Sequence, residues 1–239
     1  MRPYYEQDGI TIFHGDCREI LPTLDSGSID LVLTDPPYGI SWRSNRRSVN
    51  ARYDPIALDD GATSIVELVR PALSKLKNSK HVYVFGLTDW GDLPVCGSCE
   101  LIWDKGALGM GDLSLPWAKS HEPIAFAVYT NRPSAIAKGA GNGVARMRRG
   151  TVLRYPRPQN ERAGHPTPKP VELLRELIEM STRFGEVVLD PYMGSGSTLL
   201  AARMESRRAI GIEIEERYCE IAAKRLQQSV MDLTTKETA

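Results

Sequence analysis

Short unbroken apolar runs set the pattern of this chain. Leu31-Val32-Leu33, Val82-Tyr83-Val84-Phe85, Ile124 to Tyr129 and Val187-Val188-Leu189 are too short to be buried helices. Runs of that kind predict strands covered on both faces. Leu101-Ile102-Trp103 and Arg208 to Glu213 predict two more, and the alternating Gly9 to His14 predicts another. Helical spacing fills the gaps. Ile20, Leu21 and Leu24 share a face after Arg18. Ile65, Val66, Leu68, Val69, Leu73 and Leu76 predict a helix that Thr63 caps and Pro71 kinks. Leu173, Leu174, Leu177, Ile178 and Met180 predict a helix opened by Pro170 and ended by Gly185. Tyr218, Ile221, Ala222 and Leu226 predict a last helix from about Glu215 to Gln228. Strands alternating with helices predict an α/β sheet. Two stretches have no period: a loop over 40–62 and a Gly-, Arg- and Pro-rich segment over 131–164. Loops of that length inside a compact domain are usually functional or disordered.

Two of the predicted strands end in chemistry. The first runs into Asp35-Pro36-Pro37-Tyr38-Gly39. Proline cannot donate to a ladder, so the two prolines stop the strand and hold the acid at its mouth. Open α/β sheets bind ligands at the carboxyl ends of their strands. A carboxylate, carbonyls outside any ladder and an aromatic face suit a planar group bearing an amino substituent. The plainer reading is a proline-rich turn in which Asp35 caps and Tyr38 is half-buried.

The second is Val187-Val188-Leu189-Asp190-Pro191-Tyr192-Met193-Gly194-Ser195-Gly196-Ser197-Thr198: strand, acid, glycine turn, helix start. Glycines let the backbone pass close to a ligand, and a helix N-terminus favours an anion. No Lys precedes Ser197-Thr198, so this is not a P-loop. Leu199 stands where a full dinucleotide fingerprint has its third glycine. The next strand ends at Glu213, about twenty residues on, where an acid can take two ribose hydroxyls. Asp16 is a further acid at a strand's end. If the strand Gly9 to His14 lies beside the last strand, the chain closes into one sheet in a circularly permuted order.

The chain is 239 residues long with 30 basic and 30 acidic residues, enough for one full core. It is electrically uneven. Residues 41–52 carry Arg43, Arg46, Arg47 and Arg52 and no acid. Residues 131–160 carry Arg132, Lys138, Arg146, Arg148, Arg149, Arg154 and Arg157 and no acid. Two basic segments on a net acidic remainder predict a localised polyanion contact, nucleic acid first. The four cysteines read as reduced thiols. Cys96-Gly97-Ser98-Cys99 has redox or zinc spacing, but no second such pair exists, so no metal is expected. His121 alone reads as a structural or substrate-loop residue. No apolar run approaches the roughly 20 residues of a membrane span, and no secretory signal is visible.

Taken in order, Asp35-Pro36-Pro37-Tyr38, His165-Pro166-Thr167-Pro168-Lys169-Pro170 and Asp190 to Thr198 resemble the β-class DNA amino-methyltransferases. The resemblance spans nearly the whole chain, from Gly15-Asp16-Cys17 to Glu213. It implies a single Rossmann-like methyltransferase domain over 1–239. Its sheet would be circularly permuted, mostly parallel and seven-stranded, with helices on both faces. It implies S-adenosylmethionine as methyl donor and double-stranded DNA as partner, in the cytoplasm of a bacterial or phage-infected cell. Homodimerisation and a cognate restriction endonuclease stay open.

By that resemblance Asp190, Pro191, Gly194, Ser195, Gly196 and Ser197 form the cofactor loop. Glu213 holds the ribose hydroxyls, and Asp16 and Cys17 border the cofactor's adenine. His165, Thr167 and Lys169 lie near its methionine end, with Asp35 between cofactor and target. The family commonly has Phe at 192 and Thr at 197, so Tyr192 and Ser197 are mild departures. Asp35, Pro36, Pro37 and Tyr38 are the catalytic set. The basic loop 40–62 and the insert of about 106–164 would grip DNA through Arg43, Arg46, Arg47, Arg52, Arg146, Arg148 and Arg149. The family tends to place Asp before Pro-Pro for adenine N6 and Ser for cytosine N4, so the expected reaction is N6 methylation of a flipped adenine. The alternatives are cytosine N4 methylation and an inactive methyltransferase-like subunit that only binds DNA.

Overall fold

The computed structural model describes residues 2–37, 64–106, 114, 116–131, 148–158 and 168–236. Tyr38, Arg43, Arg46, Arg47, Arg52, Thr63, Arg146, His165 and Thr167 lie outside the described residues. The elements in chain order are β1 (Tyr5–Gln7), β2 (Ile10–His14), α1 (Cys17–Ile20), β3 (Ile29–Thr34), α2 (Ile65–Leu73), β4 (Leu76–Phe85), β5 (Val95–Asp104), β6 (His121–Tyr129), β7 (Val152–Arg154), α3 (Val171–Ser181), β8 (Val187–Asp190), α4 (Ser197–Met204), β9 (Arg208–Glu213) and α5 (Glu216–Lys236).

Among the described residues, nine strands form one sheet in the order β1-β2-β9-β8-β3-β4-β6-β5-β7. Neighbours from β2 to β4 pair in parallel, while β6 runs antiparallel to both β4 and β5. The expected seven-stranded, mostly parallel sheet is therefore nine-stranded and mixed. The two additions are three-residue edge strands. β1 pairs antiparallel with β2 and β7 pairs parallel with β5. Neither is long enough to show a period of two. The permuted closure is present: β2 pairs with β9, Ile12 opposite Gly211.

β3 explains the unbroken apolar runs. All six of its residues are buried. Leu31 and Leu33 pack with buried residues of α3, α4 and α5, while Val32 packs with those of α1 and α2. Helices thus cover both faces, as a parallel sheet requires. Its one buried acid, Asp30, accepts hydrogen bonds from Lys77 Nζ (2.8 Å) and the Val187 N–H (3.1 Å), so its charge is balanced inside the fold.

Local signals shift some boundaries. Ser64 caps α2, in a capping box with Glu67. The helix runs past Pro71 to Leu73, where Ser74 Oγ donates to the Pro71 carbonyl (2.7 Å). Leu76 belongs to β4, because its apolar side chain fits the sheet as well as the helix. α3 stops at Ser181, short of Gly185. The Cys96-Gly97-Ser98-Cys99 spacing marks a bulge in β5, with Gly97 at φ 57° between a buried and an exposed free thiol.

A buried polar cluster sits at the far end of α3. The Ser181 hydroxyl lies 2.9 Å from His81 Nδ1 and 2.8 Å from the Tyr83 hydroxyl. Burial holds the His81 pKa down at about 4, against 6.5 for the free side chain. Its folded pKa lies below its unfolded one, so the stability it contributes is complete above pH 6.5 and is lost as pH falls toward 4. The gap corresponds to roughly 3 kcal/mol. Urea unfolding from pH 7.5 to 4 should show His81→Gln losing about that much less stability than wild type. Parallel pH curves would contradict the assignment.

Candidate active site

The parallel strands β2, β9, β8, β3 and β4 all end at one edge of the sheet. At that edge lie Gly15 and Asp16 after β2, Glu213 on β9, Asp190 on β8, Asp35 after β3 and Gly86 after β4. All of them line a single cavity of about 690 Å³. β6 runs the other way, so its first residues, His121 and Glu122, reach the same edge. Lys105, just past β5, does too. Cys17, Pro36, Pro37, Lys169, Pro191, Gly194, Ser195 and Ser197 complete the overlap with the sequence-derived set. Arg148 is exposed. Arg149 Nη1 donates to Glu176 on α3 (2.7 Å), which balances its charge within the chain. Of the span 106–164, β6 and β7 belong to the sheet.

On the glycine side, Thr34 Oγ1 donates to Asp190 Oδ1 (2.9 Å) and the Tyr192 N–H donates to the same oxygen (3.2 Å). Burial pushes the Asp190 pKa up to about 6, against the opposing pull of hydrogen bonds from Thr198, Thr34 and the Tyr192 N–H. Glu213 ties down the turn: its Oε2 accepts from the Gly194 N–H (2.9 Å) and its Oε1 from the Glu215 N–H (2.8 Å). Burial raises its pKa as well. Each oxygen of Glu213 keeps a second acceptor position. Asp16 caps α1 through the Arg18 N–H (2.8 Å), and the Arg18 side chain holds its carboxyl below the ordinary range.

Arg225 of α5 supports the same turn from behind. Its Nη1 donates to the Ser195 carbonyl (2.6 Å) and the Ser195 hydroxyl (3.1 Å). Its sequence position gave no hint of this, because the contact crosses 30 residues. Gly196, at φ 79°, lies so close to α5 that a Cβ there would meet the Ala222 Cβ at 2.7 Å.

On the Asp35 side, Lys169 pairs with Asp35 and lies 3.5 Å from Glu122 Oε2, its ammonium 5.0 Å from the Phe85 ring centroid. Lys105 pairs with the other oxygen of Glu122, 4.9 Å from the Trp103 ring centroid. Lys105, Glu122 and Arg157, another cavity-lining residue, belong to no motif. Only the antiparallel turn-back of β5 and β6 brings the first two there.

This cavity joins an acid held before two prolines to a glycine turn with an acid on the adjoining strand. The sequence model of the N6/N4 DNA methylase family matches residues 100–224, just over half of the chain. The chain belongs to the DNA methylase family. The DNA adenine methyltransferase YhdJ of Escherichia coli K12 is 27% identical over 249 residues, covering 90% of this methylase and 82% of YhdJ. The solved M1.HpyAVI–SAM complex superposes with a TM-score of 0.62 at 21% identity, covering 90% of this chain and 99% of that one. The cytosine-N4-specific PvuII DNA methyltransferase superposes with a TM-score of 0.68 at 17% identity, covering 93% and 88%. These likenesses in structure establish the fold.

Among the described residues, no group of three His, Cys, Asp or Glu side chains could hold a metal ion, and no helix is long and apolar enough to cross a membrane. The methylase depends on Gly196 for the close approach of turn and helix. Gly196→Ala should lower stability by about 2–4 kcal/mol in urea unfolding, from the left-handed backbone and the clash together. Pairing it with Ala222→Gly should return part of the loss. Wild-type stability in the single variant would contradict this packing.

Proposed function

We propose that this methylase transfers a methyl group from S-adenosylmethionine to the N6 amine of a flipped adenine in double-stranded DNA. The observation that carries the reading is the shared cavity: Asp35 and the Gly194–Ser197 turn open into it from adjacent strands. The residues fit the cofactor. Glu213 has acceptor positions for two hydroxyls, the turn offers close backbone approach, and about 690 Å³ suits a nucleoside-sized ligand.

When bound, S-adenosylmethionine supplies an electrophilic methyl group. The chain's residues do the rest. An exocyclic amine is a poor nucleophile because its lone pair is delocalised into the ring. The Asp35 carboxylate and the Pro36 carbonyl accept its two N–H bonds, which draws the nitrogen toward tetrahedral geometry and frees the lone pair. With the methyl donor bound at the glycine turn, that nitrogen would be the acceptor of its methyl group, and Asp35 would take the proton that the nitrogen gives up. Tyr38 stacks on the base. Extrusion of the base costs a few kcal/mol, and Arg43, Arg46, Arg47, Arg52, Arg146, Arg148 and Arg149 are assigned to gripping the strand around it. Positioning supplies most of the rate.

Asp before Pro-Pro supports adenine as the target. So does the name of YhdJ, a DNA adenine methyltransferase. The test is label transfer. Wild type should move radiolabelled methyl from S-adenosylmethionine into unmethylated DNA, and Asp35→Ala should slow this by at least about 100-fold. Methylation that survives in Asp35→Ala would remove Asp35 from the mechanism. A wild-type chain that binds DNA and never methylates it would favour the binding-subunit reading.

A further inference from the structure

Four charges stand in alternating order across the Asp35 side of the cavity: Lys105, Glu122, Lys169, Asp35. Lys105 is buried and the Lys169 side chain is only 10% exposed, each with its ammonium over an aromatic ring. Glu122 is bonded at one end only. Its Oε1 pairs with Lys105, while its Oε2 is buried and has no hydrogen-bond partner among the described residues. That oxygen lies 3.5 Å from Lys169 Nζ, beyond a good hydrogen bond by about half an ångström. An unfilled buried acceptor beside a shared cation is costly unless it is used.

Its use follows from what Asp35 has to do, and so rests on the methyl-transfer reading. Asp35 must accept from an incoming amine, and the Lys169 ammonium on its Oδ2 draws on the same carboxylate charge, so the amine is held best when that ammonium moves off. A buried ammonium that loses its carboxylate needs another at once. We propose that Glu122 is a positioning residue whose open Oε2 is the second seat of the Lys169 ammonium, occupied when the target amine takes Asp35. Lys105 fixes the seat by holding the other oxygen. Burial alone would raise the Glu122 pKa, but the charges of Lys169 and Lys105 more than offset it and keep the carboxyl below its ordinary value. Lys169 then has two stations about one bond-shift apart, and Asp35 is released without leaving a buried charge alone.

The geometry separates this role from simple charge balance. Glu122→Gln keeps the shape and removes the second anion, so Lys169 stays on Asp35. The double variant Glu122→Gln, Lys105→Met restores the local charge count but not the seat. The full-length variants would be compared for label transfer to unmethylated genomic DNA, S-adenosylmethionine affinity by calorimetry, and Tm. Glu122→Gln should lose about 10- to 100-fold in turnover with cofactor affinity close to wild type. The double variant should recover Tm and not turnover. Full turnover in Glu122→Gln, recovered turnover in the double variant, or a parallel loss of cofactor affinity would each overturn the proposal. A wild-type chain that transfers no methyl group overturns the methyl-transfer reading itself, and the wild-type control makes that failure recognisable.

Discussion

Thr34 Oγ1 donates to Asp190 Oδ1 across the boundary between two neighbouring strands, in a place closed to water. Thr34 precedes the Asp35-Pro36-Pro37 turn, and Asp190 opens the glycine turn. One bond 2.9 Å long therefore fixes the two ends of the cavity against each other. Burial lifts Asp190 to a pKa of about 6, so the carboxylate is held at a cost that its hydrogen-bond donors offset only in part. A buried acid with fixed partners has little freedom to move. The relative position of the two half-sites inherits that rigidity.

The strand order makes such a bond available. β3 lies beside β8, and the parallel strands around them end at one edge, where acids and a glycine turn line the cavity together with apolar side chains. The reversal of direction at β6 adds what a purely parallel sheet would lack there. It brings Glu122 and Lys105 to the same edge and places two cations and two anions side by side. The cavity thus has a turn-and-acid half and an ion-pair half, with Asp35 at their junction.

The central sheet was legible in the sequence because its strands are covered on both faces and read as unbroken apolar runs. The permuted closure followed from the acids and turns at their ends. The edge strands β1 and β7 were not legible, since three residues carry no period. Leu76 was assigned to a helix because its spacing fits one, and tertiary packing placed it in β4. Of the residues that travel in motifs, Asp16, Asp35, Lys169, Asp190 and Gly194 line one cavity. Glu122, Lys105 and Arg225 were missed because their roles depend on contacts across 17 residues or more, for which local spacing holds no signal.

The central claim is that the Asp35 half of the cavity presents the N6 amine of adenine to a methyl donor held at the glycine turn. Nucleoside mass spectrometry tests it most directly, on DNA from cells lacking their own methylases and expressing this chain. The account predicts N6-methyladenine at a fixed sequence context. N4-methylcytosine in its place would contradict the base assignment, and unmodified DNA from cells making folded protein would contradict the reaction.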